Sequence, residues 1–176
     1  MQIYHIVWVT HNSRVSPRMI EYEVIIRQRR VAKGLQPLVE PVWLEEWQEI
    51  EITEYIVQIA EEDKLHVLAY NICGDHIHII IACTETERSN IVRKLKGRTT
   101  QYYKKRHNID EKLHLWAQKY SWTLIEDEDQ LNKAIYYIKN NRLKHGLPEN
   151  KKLQPLVTRI VTGMGNLMFD GVNKEL

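Results

Sequence analysis

Hydrophobic positions in this chain alternate in some stretches and recur at helical spacing in others, and the two regimes divide it into elements. Residues 3–10 (IYHIVWVT) are rich in β-branched and aromatic side chains and predict a first strand. Residues 65–73 (LHVLAYNIC) and 76–83 (HIHIIIAC) predict two more, and the Gly74-Asp75 step between them signals a tight hairpin. Residues 120–125 (YSWTLI) predict a fourth strand. Between these runs the period lengthens. Residues 43–62 read as a helix on the recurrence of Tyr55, Ile56 and Ile59, with Thr53 able to cap a turn. Residues 86–107 read as a helix anchored by Ile91, Val92 and Leu95, with Thr86 and Ser89 as capping candidates. Gly97 interrupts it at a cost of about 1 kcal/mol relative to alanine, unless something must approach closely there. Residues 127–145 read as a third helix, acidic in its first turn, basic in its last and stopped at Gly146-Leu147-Pro148.

The order strand, helix, strand, strand, helix, strand, helix is a split βαβ plan. It predicts an α+β fold of ferredoxin-like or RRM-like type, an antiparallel sheet with helices on one face and the other left for a ligand. One domain over residues 1–148 accounts for these elements. Within it, residues from about 13 to 50 form a long link whose basic stretch Arg27, Gln28, Arg29, Arg30 and prolines Pro37 and Pro41 point to a helical arm and a turn. The tail, residues 149–176, is weakly patterned and receives no assignment.

Composition excludes several classes. With 43% apolar and 27% charged residues the chain is of the soluble globular kind. No apolar run approaches the roughly 20 residues that span a bilayer, and the N-terminus lacks the basic opening of a signal peptide. The expectation is a cytoplasmic, nucleoid-associated protein with no membrane partner. Cys73 and Cys83 are too few for a disulfide framework and read as buried free thiols. Net charge is only +2, but it is segregated: nine acidic residues and no Lys or Arg from Glu40 to Asp63, then eight basic residues and no acid from Arg88 to His107. Segregation on this scale is the footprint of a polyanion binder, although short charge runs are also ordinary solvated helix faces.

Chemistry concentrates at two places. His76 and His78 sit at i and i+2 of a strand, so both imidazoles project from one face while Ile77, Ile79 and Ile81 take the other. Two converging imidazoles begin a divalent metal site; on spacing alone, such a pair is more often incidental. The last helix offers Tyr137 and Asn141, four residues apart at the border of the apolar stripe Leu131, Ala134, Ile135 and Ile138. Tyr136 and Asn140 share that spacing but lie further toward solvent. A boundary tyrosine with its hydroxyl in water is the commoner fate of such a residue. His5, His11, His66, His107, His114 and His145 show no convergent partner.

These residues together resemble a family. GDHIHIII is similar to the HUH signature of single-stranded DNA endonucleases. YHIVWVTHNS at the start, NIVRKLKG in the basic helix and YIKNNRLKHGL near the end resemble IS200/IS605-type transposases with one catalytic tyrosine, the last block being nearer to REP-associated tyrosine transposases. The blocks span Tyr4 to Leu147 in the family's order. The resemblance implies that His76 and His78 are metal ligands for Mg²⁺ or Mn²⁺, with Asn141 as third ligand where relatives often carry Gln. It implies that Tyr137 is the nucleophile, forming a 5′-phosphotyrosine and freeing a 3′-hydroxyl. It implies that single-stranded DNA hairpins are the substrate, and that the protein is a monomer or a homodimer. Gly74 stands where relatives commonly have Pro. Phosphate contacts are expected from Arg93, Lys94, Lys96, Arg98, Lys104, Lys105 and Arg106, with Tyr102 or Tyr103 available for base stacking. Because the phosphotyrosine keeps the bond energy, rejoining needs no ATP, and the chain has no GxxxxGK[ST] loop. Tyrosine phenols ionise near pH ~10, so attack requires a base that the sequence does not identify. Two competing readings are a non-catalytic nucleic-acid-binding module of RRM-like plan and a rolling-circle initiator or relaxase. The latter often pairs two tyrosines on one helix face, which the adjacent Tyr136 and Tyr137 do not mimic.

Overall fold

The computed structural model describes residues 1–11, 13, 42–110 and 112–161. Strands β1 (Gln2–Val9), β2 (His66–Cys73), β3 (His76–Cys83) and β4 (Ser121–Ile125) form one antiparallel sheet in the order β2-β3-β1-β4. Since β3 lies between β1 and β2, the chain must cross the sheet to join them, and α1 (Glu46–Glu62) makes that crossing. Helix α2 (Glu85–Arg106) does the same between β3 and β4. This is the ferredoxin-like α+β plan that the order of periodicities predicts.

Strand alternation sorts side chains into two cores. Tyr4, Ile6, Trp8, Ile77, Ile79 and Ile81 take one face, packed under Ile52, Ile56 and Ile59 of α1 and Val92 and Leu95 of α2. Ile3, Ile80, Ala82 and Ile125 take the other and meet Leu131 and Ile138 of α3 (Glu128–Lys139). Two helices cover one side as expected, and the third covers part of the opposite side. The cause lies in β3, which is apolar on both parities from Ile79 to Ala82, so neither face can be left to water there.

Some boundaries differ from the sequence pattern. Helix α2 is capped at Thr84, ahead of Thr86 and Ser89, because Thr84 and Glu87 form a reciprocal capping box: Glu87 N–H donates to the Thr84 hydroxyl at 3.3 Å and Thr84 N–H to the Glu87 carboxylate at 3.0 Å. A Cβ on Gly97 would meet open space, so no close approach accounts for that glycine. The helix expected to run to His145 breaks at Asn140, whose amide folds back to donate to Tyr136 O at 2.8 Å, and a short α4 (Asn141–Lys144) follows. Helix α5 (Leu153–Ile160) lies within the stretch that the sequence leaves unassigned, and its Leu153 and Ile160 join the core beside α1.

Most of the long link, with its basic stretch Arg27 to Arg30, lies outside the described residues, as does the tail beyond Val161. The flanks of the link meet: Val42 N–H donates to His11 O at 3.0 Å and the Thr10 hydroxyl to Val42 O at 2.5 Å. The chain therefore returns to where it left, at the end of β1. Cys73 and Cys83 are buried free thiols. Among the described residues, no helix is long and apolar enough to cross a membrane.

Candidate active site

The β2–β3 turn is pinned from two sides. Leu44 N–H donates to Gly74 O at 2.6 Å, and Thr10 N–H to Asp75 O at 2.7 Å. The indole of Trp43 lies so close over Gly74 that an added Cβ would sit 2.7 Å from its Nε1. Gly74 has no positive φ, so close approach explains the glycine. Gly74→Ala should cost about 1–3 kcal/mol by overpacking. Urea melts will show the loss, and a Trp43→Ala background should remove most of it.

Beyond the turn, His76 and His78 emerge on the face opposite the helix-covered core, and both are buried. His76 is held at both nitrogens: Nδ1 donates to Asp75 Oδ1 at 2.6 Å and Nε2 to Asn141 Oδ1 at 2.8 Å. Asn141 is fully buried. Its carbonyl oxygen also accepts from Cys73 Sγ at 3.0 Å, so two donors fix that oxygen against His76. Its Nδ2 is buried without a hydrogen-bond partner. Burial opposes charge on both imidazoles, yet the two go opposite ways. On His76, the Asp75 carboxylate and the Cys73 thiol outweigh burial and lift the pKa to about 10. On His78, burial reinforced by His76, His5 and His145 drives it down to about 3, leaving a neutral ring.

Tyr137 stands beside His78, with ring centroids 5.4 Å apart and planes at 82°. Tyr136 is 71% exposed and points away. Three further groups converge that the sequence reading passed over. His5 on β1 shares a hydrogen bond of 2.9 Å between its Nε2 and His78 Nδ1, and its ring centroid is 6.3 Å from that of Tyr137. The His145 ring lies edge-on to His76 at 4.9 Å. Lys144 Nζ lies 4.4 Å from the centroid of the Tyr137 ring. Strand parity carried the signal for His5, since it shares a face with Ile3 opposite Tyr4 and Ile6. Of the other histidines, His11 stacks on His114 at 5.0 Å, and His107 meets Glu51 at 2.9 Å.

Asn141 owes its position to its neighbour. Arg142 is buried, and its Nη1 donates to Glu49 Oε2 of α1 at 2.6 Å and to Ile72 O of β2 at 3.0 Å. Its Nε donates to Pro148 O at 2.9 Å. One guanidinium thus ties α4 to α1, to β2 and to the loop after it. Burial lifts the Glu49 pKa above the ordinary carboxylate range even with Arg142 against it.

The seven α2 residues expected to contact phosphate belong to a helix packed on the side of the sheet away from the histidines. Several are engaged within the fold. Lys94 meets Asp63 at 3.2 Å, Arg98 pairs with Glu62, and Arg106 meets Glu51 at 3.5 Å, so the acidic run and the basic run partly neutralise each other as packed helices. Lys96 donates to the carbonyls of Ala117 at 2.6 Å and Gln118 at 2.9 Å. Among the described residues, no carboxylate pairs with Arg93, Lys104 or Lys105. Tyr103 is core, while Tyr102 is half-buried beside Arg98.

A family model described as "Transposase IS200 like" matches residues 40–141, more than half of the chain and a span that includes both histidines, Tyr137 and Asn141. The chain belongs to the IS200-like transposase family. A solved structure of a REP-associated tyrosine transposase bound to a REP hairpin aligns with a TM-score of 0.53 at 13% identity, covering 84% of this chain and 70% of that one. At that identity the likeness speaks for the shared fold alone. A Deinococcus radiodurans protein assigned as a transposase aligns at 19% identity over 78% of this chain and 88% of that one, with a TM-score of 0.42 too low to argue from. No curated protein matches the sequence significantly.

Metals in such a transposase site need a ligand set, and the groups present offer one. Among the described residues, no three His, Cys, Asp or Glu side chains are gathered to hold an ion by themselves, so an ion held here would need an amide oxygen as well. Asn141 Oδ1 and His76 Nε2, 2.8 Å apart, are close to the roughly 3 Å that separates adjacent ligands on an octahedral ion with bonds near 2.1 Å. The Asp75 carboxylate behind His76 and the His5 ring behind His78 are the outer partners that orient ligating imidazoles. His76 Nε2 and Asn141 Oδ1 thus stand at ligand spacing with the neutral His78 ring on the same face, and His76 would become a ligand on giving up the proton that it shares with Asn141.

Proposed function

We propose that this IS200-like transposase binds hairpins formed by single-stranded DNA and cleaves and rejoins one strand through Tyr137. In this reading His76, His78 and Asn141 hold Mg²⁺ or Mn²⁺. The observation that carries it is the placement of the Tyr137 ring beside His78 and of the Asn141 carbonyl oxygen against His76, all within one chain. Held by these residues, a divalent ion would supply charge to neutralise and orient a phosphate oxygen. The chain's own residues do the rest. The Tyr137 oxygen attacks phosphorus, the phosphotyrosine bond forms as the bond from phosphorus to the 3′-oxygen breaks, and the proton that the phenol gives up is matched by the one the 3′-hydroxyl gains. One phosphodiester replaces another, so the reverse step joins a new 3′-end without external energy. Lys144 places a positive charge beside the reacting phenol. His76, His78, Asn141 and Tyr137 meet within one chain, which agrees with a monomer. Arg93, Lys104 and Lys105, the α2 cations without carboxylate partners, are the members of the basic helix best able to meet phosphates.

The test is a labelled hairpin oligonucleotide incubated with Mg²⁺, with Mn²⁺ or with EDTA. Cleavage is expected only with an added ion. His76→Ala should abolish it while leaving binding in place. Equal cleavage in EDTA would remove the metal from the account. Binding without cleavage under every ion would favour a non-catalytic module.

A further inference from the structure

The exposed aromatic surface of the fold concentrates a second feature on the far side of β4. Trp122 is 46% exposed although it sits in a strand. One face of its indole is covered: the guanidinium carbon of Arg88 lies 3.7 Å from the ring centroid, and Tyr4 packs edge-on at 5.7 Å and 82°. Arg88 also lies 4.6 Å from the Tyr4 centroid. Arg88 as a whole is only 8% exposed and shares a side-chain hydrogen bond with Tyr4, yet its Nε and Nη1 have no hydrogen-bond partner, and among the described residues no carboxylate pairs with it. Arg98 and Arg106 of the same helix meet carboxylates, and Arg93, which does not, donates to Asn90 at 2.8 Å. A charged group held in this way, stacked under a half-open indole, is costly for stability alone.

We infer that Trp122, backed by Arg88 and Tyr4, is a stacking platform for an unpaired nucleobase, with Arg88 supplying positive charge for the neighbouring phosphate. The chemistry fits. Indole rings stack on any base, and a guanidinium behind the ring adds cation–π attraction and answers the phosphate charge. Position fits as well. β4 is an edge strand, so nothing in the sheet closes off that side. Thr123, next to Trp122, points to the opposite face, where it is the direct partner of His5. A strand of DNA passing round the β4 edge would therefore reach the Tyr137 site within two strand spacings of about 4.8 Å each. This inference rests on the DNA-binding reading above and assigns it a subsite distinct from Arg93, Lys104 and Lys105, built on the first basic residue of α2.

Fluorescein-labelled hairpin oligonucleotides with single-stranded flanks of mixed sequence, titrated by anisotropy, provide the test. Trp122→Ala should weaken binding about tenfold, within the range of one stacked base. Trp122→Phe should recover most of it, and unchanged thermal melting will show that the fold is intact. A scan of abasic substitutions along the flanks should find one position that costs the wild type a similar factor and costs Trp122→Ala nothing more. Equal binding by Trp122→Ala and wild type, or an abasic scan that is additive with Trp122→Ala at every position, overturns the inference while leaving the transposase reading in place. If the wild type binds none of these oligonucleotides, both fall together.

Discussion

Tyr137→Phe is expected to bind hairpin DNA within about twofold of the wild type and to cleave none of it. The ring keeps its contacts with His78, His5 and Lys144, and only the attacking oxygen is lost. Removing a nucleophile that acts as a unit with its activating groups costs on the order of 10⁶-fold in rate, which places residual cleavage below detection on a denaturing gel. Tyr136→Phe is the control: its side chain is 71% exposed and faces away, so cleavage should be normal. Normal cleavage by Tyr137→Phe would mean that the nucleophile lies elsewhere.

The largest effect on stability should come from Arg142. Its guanidinium is buried against Glu49 at 2.6 Å, and truncation to alanine would leave that carboxylate in the interior without its counter-charge. Breaking a buried pair from one side costs about 3–5 kcal/mol, readable as a lower urea midpoint with an unchanged slope. Replacing both partners together, Glu49→Leu with Arg142→Leu, should cost much less, since no charge is then stranded. A double variant as unstable as the single would show that the cost comes from lost packing. Since Arg142 directly follows Asn141, any folded Arg142 variant should also bind divalent ions more weakly.

The sheet was legible because it depends on parity. Once β1 and β3 are neighbours, the alternation of Tyr4, Ile6 and Trp8 against Ile77, Ile79 and Ile81 fixes which face meets the helices and therefore where His76 and His78 point. The same parity places His5 at the site, and it could have been read from the sequence had strand adjacency been used. Three features could not be read this way. The break at Asn140 depends on a side chain folding back onto its own helix, which competes with propensity instead of following it. The neutralisation of Lys94, Arg98 and Arg106 depends on which helices pack side by side, so a charge run that suggests an open basic surface is partly spent inside the molecule. Helix α5 went unassigned because its eight residues carry a proline and only two fully buried side chains.

Trapping the covalent intermediate tests the central claim most directly. The protein is incubated with a hairpin oligonucleotide and Mn²⁺, quenched, digested with nuclease and trypsin, and analysed by mass spectrometry for a peptide carrying a nucleotide remnant. The account predicts the remnant on Tyr137 within the peptide from Ala134 to Lys139, with fragmentation excluding Tyr136. A remnant on Tyr136 or on any residue outside that peptide, or cleaved DNA with no covalent remnant at all, would contradict it.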